Sequence, residues 1–156
     1  MLNHPLTENK KGLFDNEILE KWQAGLKLTG PEVKSAKAGR VELKGSYVTL
    51  KMNSQTNRPE AWLIGAKIAK YPKAGYSQAD YQPDRSRKLL LKNKELSGLL
   101  GKTKQKGLTI IPVLMYTSKR LIKLEIALVK GKKKFDKREA LKRKDFERRR
   151  SQLLKR

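Results

Sequence analysis

The chain contains no cysteine and only one histidine, His4, which lies in a polar N-terminal stretch. The absence of thiols excludes disulfide bonds, thiolate nucleophiles and most structural zinc sites, and it fits a reducing compartment. A lone histidine cannot form a metal site, because a ligand set needs several convergent donors. The sequence also shows no pair of carboxylates in an apolar setting that would indicate acid–base chemistry. We therefore expect no metal, no cofactor and no enzymatic activity.

Long apolar runs and negative charge are also scarce. No window approaches 18 uninterrupted apolar residues, and the first nine residues lack the basic-then-apolar order of a signal peptide. A membrane is therefore the weaker candidate partner, and we expect a cytoplasmic location. The chain has 38 Lys and Arg against 15 Asp and Glu, a formal net charge of +23. Such an excess of positive charge indicates nucleic acid as the partner.

Apolar residues alternate with polar ones in about six short runs, the pattern of half-buried strands. A chain of 156 residues with 37% hydrophobic content is long enough for one core. The residues expected to face that core in the four clearest runs are Trp22, Ala24, Leu26 and Leu28; Val48, Leu50 and Met52; Trp62, Ile64, Ala66 and Ile68; and Ile122, Leu124, Ile126 and Leu128. The pattern predicts a mainly β fold with short helices, a small antiparallel six-stranded OB-like barrel over residues 13–130.

Breaks in the alternation predict local features of this barrel. Gly65 inside a strand indicates a bulge or bend, and Pro112 indicates an edge or bulged position. Thr29 followed three residues later by Glu32 matches a capping box at the start of a short helix. Asn93 is a candidate N-cap for a second helix, whose leucines recur at helical spacing.

The two ends of the chain differ from the barrel in composition. Residues 1–12 are polar, and we expect them to be flexible. From residue 130 to 156 the chain has 14 Lys or Arg against 4 Asp or Glu, so we expect residues 131–156 to form a basic tail that is intrinsically disordered when free. This tail is either a solvated charge run or a segment that becomes helical inside an RNA channel. Phe135, Phe146, Leu153 and Leu154 favour the second interpretation, as stacking or wedging anchors.

Several motifs occur in an order that resembles one known family. They are Ala24-Gly25-Leu26, Glu32-Val33-Lys34-Ser35, Pro83-Asp84-Arg85, Arg87-Lys88-Leu89-Leu90-Leu91, Gly131-Lys132-Lys133 and Asp136-Lys137-Arg138. Together they closely resemble the SmpB family of SsrA-binding proteins. The resemblance implies an OB-type barrel that binds the tRNA-like domain of transfer-messenger RNA (tmRNA, SsrA). It also implies delivery of that RNA to the A site of stalled ribosomes for trans-translation, where the protein replaces the missing anticodon arm.

The resemblance implies two groups of site residues. The residues implied to bind tmRNA are Lys10, Lys11, Gln23, Glu32, Lys34, Ser35, Arg85, Arg87, Lys88, Leu90, Lys119 and Lys123. The residues implied to act at the decoding centre and messenger channel, against small-subunit rRNA, are Gly131, Lys132, Lys133, Lys134, Phe135, Asp136, Lys137, Arg138, Phe146, Leu153 and Leu154. The elongation factor that delivers aminoacyl-tRNA is a further implied partner, and the protein is expected to be a monomer.

The chain departs from the family pattern at three places. Gln23 stands where the family usually has a glutamate, Gly12, Leu13, Phe14 and Asn16 replace a more basic and aromatic stretch, and the loop at 54–60 is longer. The residues alone leave a rival open, a ribosomal protein or general RNA chaperone of OB type. Such a protein would bind many RNAs through phosphate contacts.

Overall fold

The computed structural model describes residues 4–154, and antiparallel strands form most of it. The strands are β1 (His4–Glu8), β2 (Asn16–Leu26), β3 (Val41–Glu42), β4 (Tyr47–Asn53), β5 (Arg58–Ile64), β6 (Lys67–Ile68), β7 (Arg87–Leu90), β8 (Leu108–Ser118) and β9 (Leu121–Gly131). The α-helices are α1 (Lys10–Asp15), α2 (Gly30–Lys37), α3 (Asn93–Thr103) and α4 (Lys134–Leu153), and a 3₁₀ segment covers Pro72–Gln78. None of these four helices combines the length and the apolar content needed to span a bilayer.

Six strands close into a barrel. Strand β8 pairs with β4, and the pairing continues through β5, β7 and β2 to β9, which pairs again with β8. Strand β1 adds to β8 outside this ring, and β3 and β6 form a separate two-stranded sheet. The predicted mainly β fold with a six-stranded antiparallel barrel and short helices is therefore confirmed.

Apolar side chains from all sides of the ring fill the barrel. Leu63 of β5 and Leu124 and Ile126 of β9 have no exposed surface. Leu96 and Leu99 of α3 join the same core, as their helical spacing predicted. The predicted inward face of β9 is confirmed, with Ile122, Leu124, Ile126 and Leu128 all buried.

The predicted inward face of β5 is wrong before Gly65 and correct after it. Leu63 is buried and Trp62 lies half-buried on the outer side, the reverse of the predicted alternation. Gly65 has a φ of 76°, in the left-handed region that favours glycine. The bend at Gly65 shifts the alternation by one residue, so Ala66 and Ile68 still face the core.

The β4–β5 hairpin closes in a turn organised by Asn53. Its Oδ1 accepts hydrogen bonds from the backbone amides of Gln55 at 2.9 Å and Thr56 at 3.2 Å. Met52, which was predicted to face inward, is 52% exposed. It pairs with Pro59 beside this turn, beyond Leu50, the last residue of β4 that packs on the core.

The N-terminal segment differs from the flexible one that its composition predicted. Residues 1–3 lie outside the described part of the chain, but His4–Glu8 forms β1 against β8. Asn9 is 4% exposed, and its backbone amide donates to the carbonyl of Val113 at 2.8 Å. Its side-chain amide donates to the carbonyl of Pro112 at 2.9 Å. The ladder of β8 and β9 is shifted at Pro112, so Asn9 satisfies buried carbonyl groups at the predicted bulge.

A second apolar cluster, outside the barrel interior, explains why α1 is fixed. Its buried members are Ile111, Val113, Ala127 and Val129, on the outer faces of β8 and β9. Leu13 of α1 and Ile18 of β2 pack against them. The sequence did not predict this cluster, because Ala127 and Val129 read as the outer side of β9.

The basic tail is helical in this structure. Helix α4 has twenty residues and none of them is buried, so it does not pack on the barrel. The structure therefore differs from the disorder expected of the free tail. Good helix formers favour the helix, as do the i, i+4 pairs Glu139 with Arg143 and Asp145 with Arg149. Residues 155 and 156 lie outside the described part, and the domain boundaries at 13 and 131 stay predictions.

Candidate nucleic-acid interface

Strands β2, β7 and β9 form an open groove on the outer side of the barrel. Gly25 lies opposite Leu90 on one side and Lys123 on the other. A Cβ at Gly25 would lie only 3.2 Å from Cβ of Leu90, so the absence of a side chain at Gly25 leaves space in the groove beside Leu90. The groove has a volume of about 710 Å³ and is lined by Lys21, Trp22, Gln23, Ala24, Gly25, Leu90, Leu91, Lys92, Glu95 and Lys123. We call it the β2–β7–β9 groove.

The groove combines an exposed apolar side chain with polar and cationic neighbours. Leu90 is 54% exposed although it belongs to a short apolar strand. Gln23 and Lys123, from strands far apart in the sequence, line the same groove. An apolar side chain can pack against an unstacked base while an ammonium and an amide bind phosphate or sugar oxygens. The structure thus brings together three of the residues expected to bind RNA.

Lys88 lies beside this groove on the outer side of β7. Its Nζ donates to Oε1 of Glu60 at 2.7 Å. The hydrogen bond from Lys88, followed by one from Asn53, lowers the pKa of Glu60. Lys88 is therefore already paired with a carboxylate, and RNA contact would have to compete with that ion pair.

A buried ion cluster lies beneath α2. The Glu32 carboxylate accepts hydrogen bonds from Nε of Arg85 at 2.8 Å, Nε of Arg87 at 3.0 Å and the hydroxyl of Tyr81 at 3.2 Å. It also accepts one from the backbone amide of Thr29 at 2.9 Å. This hydrogen bond belongs to the capping box predicted at the start of α2. These donors come from Thr29, which caps the start of α2, from Arg87 at the start of β7, and from the segment that leads into β7.

These donors control the ionisation of Glu32. Burial acts to raise the pKa of this carboxyl. The hydrogen bonds from Arg85 and the Thr29 amide, together with the charge of Arg87, outweigh burial and lower the pKa from 4.5 to about 2. The carboxylate is therefore charged at neutral pH, and it compensates the two guanidinium groups.

Three residues expected to bind RNA are inside the protein. Glu32, Ser35 and Arg87 have no exposed surface. The hydroxyl of Ser35 donates to the carbonyl of Ala69 at 2.5 Å, and Arg87 donates to the carbonyl of Ala66 at 2.7 Å. In this structure these side chains bind neighbouring elements and are not accessible, so their burial does not support direct contact with RNA. Their burial could not be predicted from the sequence, because each of them belongs to a polar, basic motif.

Helix α2 and the β3–β6 sheet carry an exposed cationic surface, which we call the α2 patch. It consists of Lys34, Lys37, Arg40, Lys67 and Lys70. The carbonyl of Arg40 accepts from the amide of Ala69 at 3.0 Å, which joins the two elements. No member forms an ion pair with another residue of 4–154, and the ammonium of Lys34 lies 5.6 Å from the ring centre of Tyr71. Only Lys34 was expected in a site, because pairing of β3 with β6 cannot be read from two-residue strands.

Lys10 and Lys11 do not belong to the β2–β7–β9 groove. They lie exposed on α1, which leads into the start of β2 at Asn16, whereas the groove is built around Gly25. Nine residues of extended strand separate these positions, about 30 Å. Lys119 lies exposed in the turn between β8 and β9 with a φ of 57°. The expected RNA-binding residues are thus spread over more than one surface.

The start of the tail is held by the end of α1. Asn16 pairs with Gly131 at the last position of β9, and the amide of Lys132 donates to the carbonyl of Asp15 at 3.0 Å. The Asp15 carboxylate binds Nζ of Lys137 at 3.3 Å. The ammonium of Lys132 lies 5.9 Å from the ring centre of Phe14. We call Phe14, Asp15 and Asn16 the α1 anchor.

The other residues expected to act in the ribosome point to solvent. Lys133, Lys134, Phe135, Asp136 and Arg138 are exposed around the first turn of α4. Phe146 is 68% exposed, Leu153 73% and Leu154 77%. An aromatic ring on a highly charged helix is available for stacking, and the structure offers it no apolar partner.

Comparison with known proteins identifies relatives over almost the whole chain. The family model described as SmpB protein matches residues 6–156. An SsrA-binding protein of Coxiella burnetii (strain Dugway 5J108-111) is 47% identical over 148 residues, 94% of this chain and 88% of the relative. One from Oleidesulfovibrio alaskensis is 47% identical over 92% of this chain and 87% of the relative. One from Gloeothece citriformis is 44% identical over 97% of this chain and 93% of the relative.

A solved structure is similar as well. It is described as "tmRNA-SmpB: a journey to the center of the bacterial ribosome", and its matching chain is 40% identical, with a TM-score of 0.65. The match covers 86% of this chain and 93% of that one. The family model spans the barrel, the groove and the basic tail, and the relatives match over most of their length. The chain belongs to the SmpB protein family.

Proposed function

We propose that this protein binds the tRNA-like domain of tmRNA and delivers it to the A site of stalled ribosomes for trans-translation. In this role the barrel takes the place of an anticodon arm. The observation that carries the proposal is the separation of two cationic surfaces. The centre of the β2–β7–β9 groove, at Gly25, and the base of the tail, at Gly131, lie about 30 Å apart along the β2–β9 ladder, so one molecule can contact two RNA surfaces at once. The proposed place of action is the cytoplasm.

The groove and the α2 patch are the proposed tmRNA contacts. Leu90 packs against an unstacked base, and Lys123 and Gln23 bind the adjoining backbone. Lys34 and the other cations of the α2 patch neutralise phosphates further along the RNA. Arg85, which is partly exposed beside Glu32, is positioned to contact RNA at the edge of α2.

Glu32, Ser35 and Arg87 support these contacts indirectly. Glu32 of α2 binds Arg87 of β7, the strand that carries Leu90, and Ser35 of α2 binds the chain just after β6. Loss of Glu32 would therefore displace the α2 patch relative to the groove. We propose that these residues support RNA binding through this geometry.

The tail residues are the proposed ribosomal contacts. Lys132, Lys133, Lys137 and Arg138 neutralise rRNA phosphates at the decoding centre, and Phe135 stacks on a base there. Helix α4 occupies the empty messenger channel, with Phe146, Leu153 and Leu154 as apolar contacts. We also propose the elongation factor that delivers aminoacyl-tRNA as a partner. This proposal does not depend on the tail contacts.

Competition binding at matched salt tests the barrel function. Labelled tRNA-like domain is displaced by unlabelled tRNA-like domain or by an unrelated duplex RNA of equal length. We expect at least about tenfold weaker competition by the duplex, since phosphate contacts alone do not discriminate between the two. Equal competition would support a general RNA chaperone or ribosomal protein and overturn the specific function.

Truncation after Lys130 tests the tail function. The truncated chain should keep its affinity for the tRNA-like domain and lose peptide tagging on stalled ribosomes. Replacement of Lys132, Lys133 and Arg138 by alanine should reduce tagging while the unfolding midpoint stays the same, because exposed charges contribute little to stability. Intact tagging in either variant would contradict the assigned role of the tail.

A further inference from the structure

We propose that Asp15 is a positioning residue that fixes the direction in which helix α4 leaves the barrel. The proposal rests on the proposed function of the tail, which must enter a narrow channel in the ribosome. It assigns to the α1 anchor a role beyond the folding of the N-terminus.

Asp15 holds the tail at two points on either side of its one flexible link. Strand β9 ends at Gly131 and α4 begins at Lys134. The amide of Lys132 is bound to the carbonyl of Asp15, so Lys133 is the remaining link, with a ψ of 155° outside the helical region. Beyond that link, Lys137 is bound by the carboxylate of the same residue. Rotation about Lys133 would break this second contact.

No other ion pair in the described part of the chain involves α4. No residue of the helix is buried, and no side chain caps its first turn at Lys133. The Asp15 carboxylate also lies near the first turn of α4, where negative charge is favourable. Phe14 strengthens the same point, because its ring lies beneath the ammonium of Lys132. The direction of α4 therefore depends on the α1 anchor.

A helix that already points the right way enters its site with less loss of orientational freedom. The Asp15 and Lys137 side chains are 33% and 38% exposed, so the contact has the modest strength of a surface ion pair. Its loss should reduce the tagging rate about two- to fivefold, the range of such pairs. Affinity for the tRNA-like domain should not change, because the groove lies at the other end of β2.

Distances within the full-length protein test the orientation directly, without ribosomes. The chain has no cysteine, so Ser97→Cys in α3 and Ser151→Cys in α4 provide two unique attachment points for spin labels. Double electron–electron resonance should give a narrow distance distribution in the parent and in Asp15→Glu, which keeps the carboxylate. The distribution should broaden in Asp15→Asn. Glu17→Gln is the matched control, an exposed carboxylate two residues away with no ion pair among residues 4–154.

Each outcome decides the proposal. An equally narrow distribution in Asp15→Asn, or equal broadening in Glu17→Gln, would overturn it whatever the tagging assay shows. If Asp15→Asn does not fold, Lys137→Gln breaks the same contact from the tail side and must broaden the distribution. A broadened distribution with unchanged tagging would refute the role of orientation in function while leaving the proposed function of the barrel intact.

Discussion

Arg87, which has no exposed surface, donates from Nε to the carboxylate of Glu32 at 3.0 Å. Its other nitrogens donate to the carbonyls of Ala66 at 2.7 Å and Pro83 at 2.8 Å. One guanidinium thus joins α2, the chain after β5 and the approach to β7. Since Leu90 lies three residues further along β7, this pair sets the α2 patch and the groove in a fixed relation.

Replacement of Glu32 by glutamine should destabilise the fold strongly. The substitution leaves the buried charge of Arg87 uncompensated, and breaking such a pair costs about 3–5 kcal/mol. Urea unfolding followed by circular dichroism measures the loss. Glu42→Gln, at an exposed position of β3, should change the free energy of unfolding by less than about 0.5 kcal/mol. Equal effects of the two variants would show that the buried cluster does not hold α2.

The same carboxylate should make stability depend on acid pH. The folded-state pKa of Glu32, about 2, lies below its ordinary value of 4.5. The charged form therefore stabilises the fold above pH 4.5, and this contribution is lost as the pH falls towards 2. The urea midpoint of the parent should decline through this range. The decline should be shallower in Glu32→Gln, and parallel curves would contradict the assignment.

Two substitutions in the groove should have separable effects on RNA binding. Lys123→Ala should weaken binding of the tRNA-like domain and reduce the slope of log K against log salt by about 1, the loss of one phosphate contact. Leu90→Ala should weaken binding without changing that slope. Filter binding from low to moderate salt distinguishes them. Lys106→Ala, in the exposed turn before β8, is the control and should leave the binding constant within about twofold.

Two glycines should respond to alanine with opposite sign. A Cβ at Gly12 would lie 2.6 Å from Nδ2 of Asn9 and 2.9 Å from Cδ1 of Ile111. Gly12→Ala must displace the buried Asn9 and should cost about 1–3 kcal/mol of unfolding free energy. Gly98 lies within α3 with open space around it, so Gly98→Ala should stabilise by about 0.5–1 kcal/mol. Thermal unfolding checks both, and a tolerated Gly12→Ala would show that α1 can shift freely.

The periodic parts of the fold could be predicted from the sequence, and the aperiodic parts could not. Strand β9 alternates regularly from Ile122 to Ile126, so the positions of Leu124 and Ile126 could be predicted. Gly65 is predicted to form a bulge or bend, and it forms a bend between β5 and β6. The bend also reverses the alternation on one side, and sequence alone does not say which. Asn9 belongs to a polar stretch, and its partner Pro112 is 103 residues away. Only the folded barrel shows that the two meet.

The sequence indicates candidate residues for the site, but it does not indicate which of them are exposed. Gln23, Leu90 and Lys123 were expected to bind RNA, and they line one groove. Arg87 belongs to the same motif as Leu90, and yet it is buried while Leu90 is exposed. The sequence places both residues in one motif, whereas their burial depends on how β7 alternates between interior and surface. The α2 patch depends on the pairing of two very short strands, which carry almost no sequence signal.

Helix α4 has twenty residues, about 30 Å of rise, and no buried residue. A helix with a single apolar stripe can be satisfied by one flat partner. Helix α4 carries Arg and Lys around its whole circumference, so a partner on one side would leave half of its charges facing water. The environment that best complements the charges of this helix is one that surrounds it with negative charge on all sides along its full length.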